Sequence, residues 1–328
     1  MPRPDAVELQ RVFGPDARPC RRALTGEAGV ALPPLIDHHV HLHLIDERRL
    51  GPSGIAGVVD LGGDPIALAQ RRPESMPRVA YAGAFLTAVG GYPVGRSWAP
   101  PATVREIRDP SRHPGVSGGA ATAVDEQAAF GASVLKVALN AVAGPTPDSA
   151  TLSAIIAAAR VHSLPVVAHV EGAGMARMAI EAGIAALAHT PFSEPLDAAL
   201  LARAVESGQR WISTLDIHRS DASSAGIAAA NLTAFVQAGG AVLYGTDLGN
   251  GDLPAGVNER ELEALHASGI RGQDLLATLT DPWPLRERSQ GVCTFVPGDP
   301  PTDIDGTAAW LARATVVPTE ELIHDDHS

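Results

Sequence analysis

The chain of 328 residues contains little cysteine and few aromatic side chains. Its two cysteines, Cys20 and Cys293, are too few for a disulfide framework or a cysteine-based metal site. We interpret them as reduced thiols of a cytoplasmic protein. Aromatic residues make up only 4% of the chain, so alanine, valine, leucine and isoleucine must supply most of the core.

The sequence also lacks long apolar segments and an excess of positive charge. No stretch of about 18 residues is apolar and free of charge, so we expect no transmembrane helix and no membrane partner. Residues 1–8 lack the apolar segment of a signal peptide, which again favours the cytoplasm. The net charge of −12, without a lysine- and arginine-rich cluster, argues against a nucleic-acid partner.

Lysine is almost missing, because the chain has 24 arginines and a single lysine, Lys136. Arginine stays charged in proteins, whereas a lysine amine can lose its proton and react when it is buried. Chance also explains a single lysine, so Lys136 only points to a function.

Short apolar runs alternate with helical patterns along most of the chain, as is typical of strand–helix units with a parallel sheet. The runs are apolar throughout, as expected for strands covered on both faces. We therefore predict an α/β protein with a TIM-type (β/α)8 barrel, and an open doubly wound sheet is the alternative. The eight predicted strands are 35–41, 55–61, 79–86, 133–139, 165–169, 185–189, 211–215 and 241–245. Helices are predicted at 148–162, 174–182, 196–207 and 225–238.

Three regions follow from this pattern. Residues 33–290 are predicted to form the barrel, flanked by residues 1–32 and 291–328. Apolar pieces at 291–296 and 314–317 predict a small, shortened accessory β-structure built from both termini. Residues 90–119 are rich in proline, glycine and arginine and predict a long functional or mobile loop. The tail 324–328 is predicted to be disordered.

Residues able to bind a metal fall at the ends of the predicted strands, where a TIM barrel carries its working residues. His39 and His41 end the first strand and share one face, because they are two residues apart. Imidazole and carboxylate groups suit Zn²⁺, Mn²⁺ or Fe²⁺. The remaining candidates belong to the fourth, fifth, sixth and eighth strands: Lys136, His169, His189 and Asp247.

Each candidate taken alone has an ordinary structural explanation. A single histidine at a strand end is more often a hydrogen-bonded core residue. Asp247 could cap the next helix, and Lys136 could be a paired barrel lysine. The coincidence of six candidates from five strands at one end of a barrel favours a metal site.

The order of these motifs resembles the amidohydrolase superfamily, and within it the imidazolonepropionase and prolidase-like branch. Residues 35–43 read LIDHHVHLH and are similar to the family's first-strand signature, in which an aspartate lies two places before His-x-His. Residues 131–137 resemble the fourth-strand lysine segment. Residues 167–169 and 188–190 resemble the segments of the fifth- and sixth-strand histidines, and residues 239–247 resemble the eighth-strand aspartate segment.

The resemblance implies a metal-dependent hydrolase that cleaves an amide, lactam or cyclic amidine C–N bond in a small molecule such as a dipeptide, an N-acyl amino acid or a ring. It implies one ion, most readily Zn²⁺, on His39, His41 and Asp247, and a second on His169 and His189. A carbamate formed from CO₂ on Lys136 would bridge the ions. A hydroxide between the ions would attack the carbon, with Asp247 as general base and then acid.

Four residues just beyond strand ends are predicted substrate contacts: Tyr92, Arg96, Glu171 and His218. Arg96 could clamp a carboxylate with its planar fork, and His218 could donate to a carbonyl. Tyr92 departs from the family pattern, in which the segment after the third strand often ends Gly-Gly-His.

Two other functions are open on these residues. One is a mononuclear deaminase or ring hydrolase in which Lys136 is unmodified. The other is an amidohydrolase-like binding protein without turnover. We also expect a homodimer, since closed twofold assemblies are the commonest oligomers.

Overall fold

Two parallel sheets and one antiparallel sheet organise the protein. The computed structural model describes residues 6–72, 76–285, 287, 289–301 and 306–324. The strands are β1 (Arg18–Arg22), β2 (Ala28–Leu32), β3 (Leu35–Val40), β4 (Ile55–Asp60), β5 (Arg78–Tyr81), β6 (Phe85–Ala88), β7 (Val104–Ile107), β8 (Leu135–Asn140), β9 (Val166–Glu171), β10 (Ala186–Leu187), β11 (Arg210–Ile212), β12 (Ala241–Leu243), β13 (Val292–Pro297), β14 (Thr315–Pro318) and β15 (Leu322–His324).

The larger parallel sheet has seven strands in the order β12–β11–β10–β9–β8–β6–β7, and the smaller has the order β3–β4–β5. Seven of the eight predicted strands are present, with ends shifted by at most three residues. Their buried apolar side chains divide between a large core shared with the inner faces of the helices and a smaller, separate cluster that includes Val59, Val167 and Leu243. The prediction of an α/β protein with parallel strands is confirmed.

Helices follow most of the parallel strands. They are α1 (Ala6–Phe13), α2 (Pro65–Ala69), α3 (Ala120–Ala129), α4 (Ser149–Val161), α5 (Met175–Ala182), α6 (Ala198–Glu206), α7 (Ala222–Gln237), α8 (Glu259–Ala267), α9 (Gly272–Thr280) and α10 (Thr307–Leu311). Aspartate side chains cap α4 and α6, because Asp148 accepts from the Thr151 amide and Asp197 from the Leu200 amide. No helix among the described residues is long and apolar enough to cross a membrane.

The predicted third strand is wrong as a single element. β5 pairs with β4 in the smaller sheet, whereas β6 pairs with β7 and β8 in the larger one. The break falls at Gly83, which has a φ of +71°. A Cβ at Gly83 would lie 2.2 Å from the Gln127 Oε1 atom, and that atom accepts from the Ala84 amide. The unbroken apolar run of residues 79–86 gave no sign of this turn.

Residues 90–119 contain more regular structure than a loop. They include a short 3₁₀ helix, Pro101–Thr103, and strand β7, which lies at the edge of the larger parallel sheet. The Arg105 guanidinium on β7 donates to both carboxylate oxygens of Glu126 on α3. This segment is therefore anchored to the sheet from Val104 onward.

Backbone contacts connect both edges of the smaller parallel sheet to residues next to strands of the larger one. Beside β3, the His38 amide donates to the Tyr244 carbonyl, and the His41 amide donates to the Leu248 carbonyl. Beside β5, the Ser133 amide donates to the Tyr81 carbonyl. The first predicted strand therefore lies next to the segment that follows the eighth.

The antiparallel sheet is built from both ends of the chain in the order β14–β13–β2–β1–β15. The terminal accessory β-structure predicted from the apolar pieces is present, with Phe295 and Val317 in its own small core. His324 lies in β15, so the prediction of disorder is wrong for that residue, and residues 325–328 lie outside the described part. The boundaries at 32/33 and 290/291 stay a prediction.

Candidate active site

All six predicted metal-binding side chains line one cavity of about 380 Å³. Each stands on or just after a parallel strand, since such strands deliver their carboxyl ends to the same side of a sheet. The side chains come from β3, β8 and β9 and from the residues that follow β3, β10 and β12: His39, Lys136, His169, His41, His189 and Asp247. Residues more than 200 positions apart in the chain thus share one space.

The tightest cluster consists of His39, His41 and Asp247, whose ligand atoms all lie within 4.8 Å of one another. The Asp247 Oδ1 atom is 3.1 Å from His39 Nε2 and 3.3 Å from His41 Nε2. The Lys136 Nζ atom lies 3.4 Å from His39 Nε2. All four side chains are buried.

The Nδ1 atoms of His39 and His41 make hydrogen bonds that orient each ring, so that Nε2 faces Asp247. The His39 Nδ1–H donates to the Ala188 carbonyl at 2.8 Å, and the His41 Nδ1–H donates to the Gly62 carbonyl at 3.1 Å. A carbonyl only accepts, so in the neutral rings each Nε2 atom presents a lone pair toward Asp247. Burial and the nearby Lys136 lower the pKa of His39 well below its usual value.

When both rings are neutral, three lone-pair atoms therefore converge, which suits a bound cation. Histidine ligands of metals commonly donate their second ring nitrogen to a backbone carbonyl, as both do here. The donor set of two imidazoles and a carboxylate thus fits a divalent metal ion on chemical grounds.

His169 and His189 lie beside this cluster but outside its tight group. The His189 ring is 4.7 Å from the His39 ring and 5.0 Å from the His169 ring, centroid to centroid. His189 Nδ1 is held at 2.9 Å from the Thr214 hydroxyl oxygen. His169 Nε2 lies 3.2 Å from the Glu171 carboxylate and 3.2 Å from the Asn140 side-chain nitrogen, so this ring nitrogen already has protein partners.

Lys136 is fully buried at the centre of this arrangement. Burial lowers the pKa of its amine to about 7, although the Asp247 and Asp60 carboxylates act in the opposite direction. A substantial fraction of the amine is therefore neutral near pH 7. Only a neutral amine is a nucleophile, and the lowered pKa favours that form.

Two aspartates hold the backbone of the first strand's end. The Asp37 carboxylate accepts from the amides of His39 and Thr246, both at 3.0 Å, and from the Thr246 hydroxyl. The Asp60 carboxylate, at the end of β4, accepts from the amides of Leu42 and Gly62. Asp37 was visible in the sequence as part of the first-strand motif, whereas Asp60 was missed despite its place at the end of a buried strand.

Two non-glycine residues of the site have left-handed backbone conformations. The φ angle is +59° at Asp247 and +46° at Thr214. Such conformations cost about 1–3 kcal/mol each and persist where the surrounding structure enforces them. Asp247 thereby faces His39 and His41, and Thr214 faces His189. Nothing in the sequence indicated the role of Thr214.

Solved structures share this architecture over most of the chain. An amidohydrolase of 20% sequence identity matches 91% of this chain and 87% of its own, with a TM-score of 0.69. An ochratoxinase from A. niger (20% identity, 88% and 82% coverage, TM-score 0.68) and a Xaa-Pro dipeptidase with bound methionine (18% identity, 90% and 86% coverage, TM-score 0.66) also match. The chain has the amidohydrolase fold.

The amidohydrolase fold confirms, at the level of architecture, the resemblance drawn from the strand motifs. No protein-family model and no curated protein sequence matches the chain. At 18–20% identity, the solved structures establish the fold of this chain but not its substrate.

Of the four predicted substrate contacts, Tyr92 and Glu171 line the cavity of the amidohydrolase fold. The Tyr92 ring stacks on His169, with centroids 5.1 Å apart, and burial raises the pKa of its phenol above the usual value. Arg96 and His218 are not among the lining residues. Arg96 is exposed with its guanidinium carbon 5.9 Å from the Tyr92 ring centroid, and His218 packs on Phe192. Their roles stay predictions.

Sequence reasoning missed the aromatic side chains that line the same cavity. Phe85 lies 5.6 Å from the His41 ring, Trp98 lies 6.0 Å from the Phe85 ring, and Phe192 lies 6.3 Å from the His189 ring, between centroids. Asn140 was also missed, although it ends β8 four residues after Lys136. Its side chain donates to Glu171 at 2.6 Å.

Proposed function

We propose that the protein is a metal-dependent hydrolase that cleaves a C–N bond of an amide, lactam or cyclic amidine in a small molecule. The observation that carries the proposal is the convergence of His39 Nε2, His41 Nε2 and Asp247 Oδ1 inside the cavity. Similar folds are found in a Xaa-Pro dipeptidase and a phenylurea hydrolase, which supports this reaction class.

The two parallel sheets together form a (β/α)8 barrel in this proposal. The hydrogen bonds from His38 to Tyr244 and from Ser133 to Tyr81 support it, because they connect both edges of the smaller sheet to the chain near the larger one. Residues 33–290 are then the catalytic unit, with the terminal sheet from residues 1–32 and 291–328 attached to it.

The proposed site would hold two metal ions. His39, His41 and Asp247 would hold one, His169 and His189 would hold the other, and a carbamate on Lys136 would bridge them. Zn²⁺ suits these ligands best, with Mn²⁺ or Fe²⁺ as alternatives. When bound, such ions lower the pKa of a water molecule and polarise the substrate carbonyl.

Asp247 is the proposed proton carrier. Its Oδ2 atom accepts from the side-chain Nδ2 of Asn250 at 2.8 Å, and its Oδ1 atom faces His39 and His41. One carboxylate oxygen is thereby held while the other stays directed into the cavity. Asp247 would take the proton of the attacking water and return it to the leaving nitrogen. Tyr92 and Glu171 would contact the substrate, with Arg96 and His218 just outside them.

A mononuclear deaminase or ring hydrolase is the second candidate. It is favoured by the fact that, among the described residues, one group of three or more His, Cys, Asp or Glu side chains is close enough to hold an ion. In that case Lys136 would remain an amine and a single ion would suffice.

Metal analysis and a substrate screen separate these functions. We expect about two ions per chain after purification with Zn²⁺, and turnover of some member of a panel of amides, lactams and cyclic amidines. Asp247→Asn should lower turnover by about 10²–10⁴-fold. One ion per chain with deaminase activity would support the second candidate, and turnover that survives Asp247→Asn would rule out the proposed mechanism.

The homodimer and the cytoplasmic location are kept as proposals. One chain has a mass of 33.9 kDa. Light scattering of the metal-loaded protein should give twice this mass. A monomer at micromolar concentration would contradict the dimer.

A further inference from the structure

The cavity contains a large share of the few aromatic side chains in the protein. The chain has 13 aromatic residues (six Phe, four Trp and three Tyr), and four of them line this cavity: Phe85, Tyr92, Trp98 and Phe192. Leu44 and Ile217 add apolar surface to the same lining. A site for a small polar substrate would not need this concentration of apolar area.

Three of these rings form a continuous wall next to the candidate ligands. Phe85 stacks on His41, Trp98 lies 6.0 Å from Phe85 and 5.8 Å from Tyr92, and Tyr92 stacks on His169. The wall therefore runs from the histidine of the first strand to that of the fifth. A substrate whose scissile bond reaches the metal site would have an aromatic or large apolar group against this wall.

Away from the candidate metal ligands, the described lining of the cavity offers no lysine or arginine to pair with a free carboxylate of the substrate. Among the described residues that line it, Lys136 is the one lysine or arginine side chain, and it is buried beside His39. Arg96 is exposed, lies over the Tyr92 ring and does not contribute to the lining.

Glu171 contributes a negative charge instead. Asn140 donates to its Oε2 atom at 2.6 Å, which holds the carboxylate in place. Its side chain remains 30% exposed, so the carboxylate can still be reached from the cavity. A second carboxylate close to it would be repelled, whereas an N–H or ammonium group would be attracted.

We propose that the substrate is an amide without a free carboxylate, that its large apolar group packs on the Phe85–Trp98–Tyr92 wall, and that an N–H or ammonium group donates to Glu171. This inference rests on the proposed hydrolase function and narrows it. Dipeptides and N-acyl amino acids, which end in a carboxylate, would then be poor substrates.

Matched anilides test the proposal on the metal-loaded protein. The probes are 2-phenylacetanilide, its 4-carboxylate derivative, and acetanilide, which lacks the apolar ring of the acyl group. We expect kcat/KM to be about tenfold or more higher for 2-phenylacetanilide than for either other probe. Glu171→Gln should bring the neutral-to-carboxylate ratio close to one, and Trp98→Leu should reduce the preference over acetanilide.

Two variants serve as comparisons. Glu181→Gln makes the same chemical change at an exposed position of α5 and should leave both ratios unchanged. Arg96→Gln tests the rival reading, in which Arg96 clamps a carboxylate. A preference for the carboxylate probe that Arg96→Gln removes would overturn the proposal, as would a neutral-to-carboxylate ratio that does not respond to Glu171→Gln.

Binding calorimetry with the same three probes keeps this inference separate from the hydrolase function. If no probe is cleaved, tighter binding of 2-phenylacetanilide than of its carboxylate derivative, lost in Glu171→Gln, would support the inference while the hydrolase function fails. Equal binding of the two probes would overturn the inference even in an active hydrolase.

Discussion

The floor and the rim of the cavity are placed by different kinds of structure. The floor consists of the six candidate ligands, which stand on strands or within four residues of a strand end: His39, His41, Lys136, His169, His189 and Asp247. The rim consists of Tyr92, Trp98 and Phe192, which stand on connections between strands. Floor side chains are positioned by sheet hydrogen bonds and buried partners, whereas rim side chains are positioned by contacts with neighbouring aromatic and histidine rings.

This difference predicts that changes in the floor affect metal binding and turnover, whereas changes in the rim affect substrate affinity. The largest effect is expected at Lys136. Lys136→Ala removes the proposed bridging group, so the metal content should fall from about two ions to one and turnover should fall by about 100-fold or more.

Two controls accompany Lys136→Ala. Added acetate should restore part of the activity, because a small carboxylate can occupy the vacated space. Lys136→Arg should not be active, since a guanidinium cannot form a carbamate. If Lys136→Ala still bound two ions and kept full turnover, the lysine would have no role in metal binding or catalysis.

Thr214→Val should have the next largest effect. It removes the hydroxyl that holds His189 Nδ1 while preserving the branched shape of the side chain. We expect metal affinity or turnover to fall by about 10- to 100-fold, as for other changes behind a ligand. Thr233→Val on α7 is the matched control, and equal metal titrations for the two variants would contradict a positioning role for Thr214.

Glu261 holds the connection that follows β11 through a hydrogen bond, and its ionisation gives the next prediction. Its buried carboxylate accepts from the Asp216 amide at 2.8 Å, and burial raises its pKa to about 7. A carboxyl group with a raised pKa stabilises the fold below its unfolded pKa, and this contribution is lost as the pH rises through about 7. From pH 5 to pH 8 the wild type should therefore lose about 2 kcal/mol of stability relative to Glu261→Gln.

Urea unfolding of the two proteins at each pH measures this difference. Glu263→Gln, at an exposed position of the same helix, should show no such trend. Parallel pH profiles for the wild type and Glu261→Gln would mean that the buried carboxyl does not titrate in this range.

The smallest effect is expected at the rim. Tyr92→Leu removes the ring that stacks on His169 and should raise KM for an aromatic amide about tenfold, with metal content unchanged. Tyr92→Phe keeps the ring and should raise KM by less. A loss of metal in Tyr92→Leu would contradict the claim that changes in the rim leave metal binding intact.

The floor could be predicted from the sequence because a buried parallel strand is recognisable as a short apolar run. The last residues of such strands lie at the carboxyl-terminal edge of the sheet. His39, Lys136 and Asp247 were each found in this way. The rim could not be predicted, since Trp98 and Phe192 lie in connections whose path depends on contacts with distant residues. The break at Gly83 was hidden for the same reason, because its partner Gln127 is 44 positions away on α3.

The Asp37–Thr246 contact has a consequence for the order in which the protein matures. Its hydrogen bonds span 209 residues, and they fix the backbone of His39 next to Asp247. During synthesis, the candidate ligands of the first strand must therefore wait for most of the chain to emerge before their aspartate partner is available. Metal would therefore bind at this position late in folding. A bound ion would indicate that β3 and the segment after β12 are already in contact.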